Sequence, residues 1–171
     1  LQGAETLHFD DVVGGLFGET GKGWLTVTAS GSGIHATSRT YNDDADGSYG
    51  QLIPASGMET STTSAGTVIL PGLSSEPGFR TNLGFTSVSE VATTLTVTVY
   101  SNTGSTLGEI DVALPAQGFV QVERALSVVA GFIGTAWAEV TGVEPHARYF
   151  AHASVVDEAT GDPTYIPGRV Q

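Results

Sequence analysis

The chain has 171 residues, of which 40% are apolar and only 14% charged, and a formal net charge of −12 from eighteen acidic and six basic residues. Such a surface repels phosphate backbones and anionic lipid, which argues against nucleic-acid partners, and no stretch approaches the length of a membrane span, so no membrane insertion is expected. With no cysteine, disulfides, thiolate metal sites and a thiol nucleophile are excluded, while the apolar fraction is too high and the charge too low for a disordered chain.

The opening "LQGAETLHF" has neither a charged leader nor an apolar run, so no signal peptide is expected there, and a mature secreted chain has the same appearance. "DDVVGGLFG" predicts one short helical turn, capped by Asp10 or Asp11 and ended at Gly18. "WLTVT" alternates as a strand does, and "TYNDDADGSYGQLIPA" reads as a hairpin around Gly47. "SGMETSTTSAG" has no apolar periodicity and predicts a linker. Strands then follow at "TVILPGL", "FRTNLGFTSV", "TTLTVTVYS" and "TLGEIDVAL". In "TTLTVTVY" the strict alternation sets Leu95, Val97 and Val99 on one face and Thr94, Thr96 and Thr98 on the other. "FVQVER", a helical piece at "RALSVVAGF", "WAEVT" and a second hairpin at "VVDEATGDPTYIPG" complete the chain. Strand signals about every ten residues, with Gly-rich turns, predict an all-β antiparallel sandwich.

An internal repeat runs through this pattern. Leu1/Leu114, Trp24/Trp137 and Pro54/Pro167 share one separation, 113 residues. In that register Leu7 and Phe9 match Val120 and Val122, Val27 matches Val140, and Asp10 matches Glu123. The second copy is preceded by four further strands, whereas the first copy begins with the chain. The expected organisation is therefore residues 1–57 as the C-terminal half of a sandwich repeat, 58–65 as linker and 66–171 as a complete sandwich. Half a sandwich buries little and leaves open strand edges, so strand complementation of 1–57 by another chain or an upstream segment, or self-association, is expected.

"PGLSSEPGFRTNLGFTSVS", "LPAQGFVQVERAL" and "ASVVDEATGDPTYIPG" resemble uncharacterised immunoglobulin-like β-sandwich modules of bacterial secreted and cell-surface proteins, found in tandem or at the ends of larger extracellular proteins. The resemblance covers residues 66–171 and, as an incomplete copy, 1–57. It implies an extracellular structural or adhesive part such as a spacer or filament module, non-catalytic, or else an accessory domain of a larger secreted enzyme. It carries no catalytic or binding residues over to this chain.

The chemistry-bearing motifs are few. Asn42, Asp44 and Asp46 have the alternate spacing that opens a calcium loop, but position twelve of that loop is Ile53, where a bidentate Glu is needed. A hairpin tip and a calcium site held by strand-loop oxygens are the two readings. "GSGIHA" matches a loose dinucleotide pattern but is followed by a strand, and "GETGKG" lacks the first Gly and the hydroxyl residue of a phosphate loop. His146 and His152, six residues apart on an extended strand, are roughly 20 Å apart, too far to share a metal. Trp24 and Trp137 fall on the polar faces of their strands, where an exposed indole serves either as a sugar-stacking platform in a carbohydrate-binding module or as a structural plug at an edge. No nucleophile elbow or metalloprotease helix motif is present, and the chain reads as not itself an enzyme, with no cofactor required.

Overall fold

The computed structural model describes residues 5–31, 33–45 and 47–171. The fold is all-β, with antiparallel sheets packed as a sandwich. Its strands are β1 (Thr37–Asp44), β2 (Gly47–Pro54), β3 (Thr62–Thr63), β4 (Thr67–Ser74), β5 (Phe79–Ser87), β6 (Thr93–Ser101), β7 (Thr106–Leu114), β8 (Phe119–Val122), β9 (Thr135–Gly142), β10 (Arg148–Asp157), β11 (Pro163–Pro167) and β12 (Arg169–Val170). One short helix, α1 (Ala125–Ala130), crosses between β8 and β9.

Two five-stranded sheets form the sandwich. One has the order β11-β10-β5-β8, with β3 also pairing β10; the other is β12-β4-β9-β6-β7. Alternation along β6 buries Leu95, Val97 and Val99 and turns Thr94, Thr96 and Thr98 outward. The same period on β9 buries Ala136, Ala138 and Val140 and leaves Trp137 and Glu139 on the outer face. Phe85, Leu83, Leu70, Leu73, Leu114, Leu126 and Tyr149 fill the space between the sheets. The Tyr149 hydroxyl, pushed up to about 12 by burial, donates to the Val140 carbonyl at 2.9 Å and so ties the two sheets together. Pro71 has no amide hydrogen for the ladder, and β4 accommodates it at a bulge between Leu70 and Leu73, where Gly72 takes φ +67°.

The segment 58–65, read as a linker, is attached along its length. Thr62 and Thr63 pair with Tyr149 and Arg148, Thr62 is buried, and the Arg148 guanidinium donates to the Met58 carbonyl at 3.1 Å and to Ser61 Oγ at 2.8 Å.

The first copy departs from its expected strands. Val12–Leu16 makes one turn of π-helix, in which Asp11 accepts from the Gly14 amide and the Gly18 amide closes on the Gly14 carbonyl. β1 and β2 form the expected hairpin, in register from Thr37↔Pro54 to Asp44↔Gly47. The strand expected at Trp24–Thr28 does not form, and neither does one at Leu7–Phe9, the counterpart of β8. The reason lies in the second copy, where the corresponding β8 pairs with β5 and the corresponding β9 lies between β4 and β6. An extended segment whose ladder partners are not beside it has no cross-strand bonds to hold it as a strand.

Candidate functional site

Two surfaces gather polar and aromatic side chains. The first is the outer face of the β4-β9-β6-β7 sheet. Tyr100 of β6 and Trp137 of β9 are direct cross-strand partners, and their rings stack at 4.3 Å between centroids with planes 14° apart. The Tyr100 hydroxyl donates to Glu139 at 3.1 Å; partial burial and the neighbouring carboxylates of Glu139 and Glu109 raise its pKa. Thr98 donates to Glu109 at 3.0 Å and Thr96 to Asp111 at 2.8 Å. The result is a flat array of threonine hydroxyls and carboxylates with one stacked aromatic pair at its end. Its acid groups are each occupied by a neighbouring hydroxyl, which suits hydrogen bonding to polyols better than proton transfer.

The second surface is a cleft of about 180 Å³ where the β1–β2 hairpin lies over the outer face of the β10-β5-β8 sheet. Thr40, Asn42, Tyr49, Gln51, Asn82 and His152 are among the side chains lining it. Ser154 Oγ donates to Gln51 Oε1 at 3.0 Å, which joins hairpin to sheet. His152 lies against Gly84, where a methyl group would stand 2.2 Å from the imidazole, and its ring is flanked by Phe119 and Tyr165. Burial lowers the His152 pKa, so the ring packs as a neutral aromatic.

The two candidate tryptophans have different surroundings. Trp24 is half-buried and its indole N–H donates to the Gln117 carbonyl at 3.0 Å. Gln117 is bonded to Ser89, at the end of β6 remote from Tyr100. Trp24 and Trp137 thus stand near opposite ends of β6, a nine-residue strand about 30 Å long, and do not share a platform. Position in the repeat, which equates them, gave no sign of this separation.

Of the calcium candidates, Asn42 sits on β1 opposite Tyr49, and its amide nitrogen lies beside Gly161 of the β10–β11 connection. Asp44 pairs with Gly47 through the backbone, while its side chain and the whole of Asp46 lie outside the described residues. Among the described residues no three His, Cys, Asp or Glu side chains come together as metal ligands. His8 is bonded to Asp10 at 2.8 Å and His146 to the Ala92 carbonyl at 3.2 Å, so the histidines occur singly. The chemistry that sequence reasoning missed is Tyr100. Only its place opposite Trp137 in the ladder marks it, and that register is not legible from alternation alone. Among the described residues no helix is long and apolar enough to cross a membrane.

No family profile, no curated protein and no solved structure matches the chain.

Proposed function

We propose that the chain is a non-catalytic structural and adhesive β-sandwich module of a secreted or cell-surface protein. The observation that carries this reading is the pairing of one closed sandwich with a first, partial copy whose apolar side chains face solvent. Leu7, Phe9, Leu16, Phe17, Leu25 and Val27 are each more than half exposed along one segment. A run of that kind beside a stable domain marks an interaction surface, and open β edges support joining by strand addition. The acidic charge favours solubility of the free module. Beads coated with the chain should adhere to one another or to cell surfaces, and Leu25→Asp with Val27→Asp should abolish adhesion. Adhesion unchanged by that double variant rejects the reading.

A second reading, glycan binding, is favoured by the Tyr100–Trp137 stack beside the Thr/Glu/Asp face, since stacked rings and fixed hydroxyl–carboxylate pairs are what a sugar ring recognises. Pull-down on insoluble polysaccharides should then depend on Trp137 and be indifferent to Trp24→Phe. Equal retention of a Trp137→Ala chain removes it.

A further inference from the structure

The second copy shows what belongs on the exposed stripe of the first. Translated by the repeat separation, Val13, Leu25, Val27 and Ile34 become Leu126, Ala138, Val140 and Ala147, all four wholly buried. Leu7 and Phe9 become Val120 and Val122, which pack on the same core. The backbone repeats as well as the pattern. Asp11 and Arg124, equivalent positions, are both non-glycine residues in the left-handed region, at φ +45° and +50°. The helical turn that follows each one ends at an equivalent left-handed glycine, Gly18 at φ +70° and Gly131 at φ +56°. The left-handed region is unfavourable for a non-glycine residue, so its recurrence at the start of both turns points to one shared local design.

What buries these positions in the second copy is the β4–β7 half, residues 67–114. β5 pairs with β8, and β4 and β6 flank β9 with Val68 and Val97 both opposite Val140. In this chain that half is already occupied by its own second copy. We propose that residues 5–54 are the receptor for a second β4–β7-type half from outside this chain, an antiparallel segment with the alternating apolar/Thr pattern of 67–114. Its β5-like strand pairs with residues 6–9 and the open edge of β1, and its β4-like and β6-like strands enclose residues 24–29. This rests on the proposed joining role and names its partner.

The contacts that now hold the first copy against the sandwich are of a kind that such a partner displaces. They include the Lys22–Glu123 ion pair at 2.7 Å with both side chains more than half exposed, the Trp24–Gln117 bond and the Ser154–Gln51 bond. The exposed ion pair is weak and the other two contacts are single hydrogen bonds, whereas enclosure removes a row of Leu, Val and Phe side chains from water. In its completed form Trp24 stacks on the partner's counterpart of Tyr100, as Trp137 does here.

The test uses the full chain with a second copy of residues 66–113 fused directly ahead of Leu1, the junction that Ala113–Leu114 makes in the second copy. Hydrogen exchange at the amides of residues 24–28 should slow by about a hundredfold or more relative to the unextended chain, and in a Trp137→Phe background Trp24 fluorescence should change. Unchanged exchange at those amides overturns the proposal. The absence of cysteine gives an independent measurement that does not require a soluble product. With Val27→Cys and a cysteine at the appended counterpart of Val97, oxidative refolding should link the two, because cross-strand partners lie within disulfide reach. No link there, or a link in an unextended Val27→Cys/Val97→Cys chain, overturns it, the latter because the chain's own β4–β7 would then be the occupant. Protection without bead adhesion keeps the partner and rejects the adhesive role, and adhesion without protection does the reverse.

Discussion

At position 140 a valine is wholly buried between Val68 and Val97; at the equivalent position 27 a valine is 60% exposed. The surrounding residues are alike, "WLTVT" against "WAEVT", so local preference does not separate the two. The elements present in both copies are those whose hydrogen bonds close locally: the turn after Asp11 or Arg124, and the hairpins β1–β2 and β10–β11. Those formed only in the second copy, β8, β9 and the short β12, draw their bonds from strands 30 or more residues away in sequence. The contrast teaches that strand propensity in this repeat is conditional on the β4–β7 half, while its turns are autonomous.

Charge at these paired valines should give the largest separation. Val140→Asp puts a carboxylate into the centre of the sandwich, and a loss above about 4 kcal/mol, enough to unfold a marginal domain, is expected from chemical denaturation. Val27→Asp should leave the transition within about 0.5 kcal/mol of the parent. A comparable loss at both positions would mean that residues 24–28 are already packed in solution. Truncation repeats the comparison more gently. Leu126→Ala should cost about 2–5 kcal/mol, and its counterpart Val13→Ala a few tenths, by the same measurement.

Much of the fold was legible because alternation reports which face of a strand is buried, as at Leu95, Val97 and Val99, and because Asp and Gly punctuate turns, as at Asp11 and Gly18. The repeat was legible from Trp24/Trp137 and Pro54/Pro167. What alternation does not carry is the identity of a strand's neighbours. For that reason the absence of a strand at "WLTVT", the attachment of Thr62–Thr63 to β10 and the stacking of Tyr100 on Trp137 all lay beyond it. Asn42 shows the same limit: its spacing places it in its own hairpin, and nothing in that spacing reveals that its amide nitrogen lies beside Gly161 of the other hairpin.

Two locks exist only in the second copy and give intermediate effects. Tyr149 has Ala36 as its counterpart, so Tyr149→Phe removes a buried hydroxyl bond that the first copy never had; a loss of about 1 kcal/mol is expected on denaturation. Glu144, whose counterpart is Gly31, accepts from Thr93 Oγ1 at 2.6 Å and the Thr94 amide at 2.7 Å, and these bonds lower its pKa to about 2. A carboxylate held below its unfolded value stabilises the fold above the ordinary range near 4.5 and loses that contribution as pH falls toward 2. Glu144→Gln should therefore flatten the stability profile between pH 4.5 and 2 and lie closest to the parent at the acid end. An unchanged acid slope would show that the turn is not held by the ionised form.

The smallest effect concerns the tether between the copies. Lys22 reaches Glu123 across the repeat, and its ammonium, through a hydrogen bond and its charge, lowers the Glu123 pKa. Both side chains stay largely in water, so Lys22→Ala should leave global stability almost unchanged, and still more so in high salt. The informative readout is local. Trp24, two residues on, should lose part of its hold on Gln117, and its fluorescence should move toward that of a solvated indole while Trp137, stacked on Tyr100, keeps its own. If both indoles respond alike, the two copies are coupled more tightly than a few exposed polar contacts allow, and the receptor surface on residues 5–36 is less open to a partner than its exposure suggests.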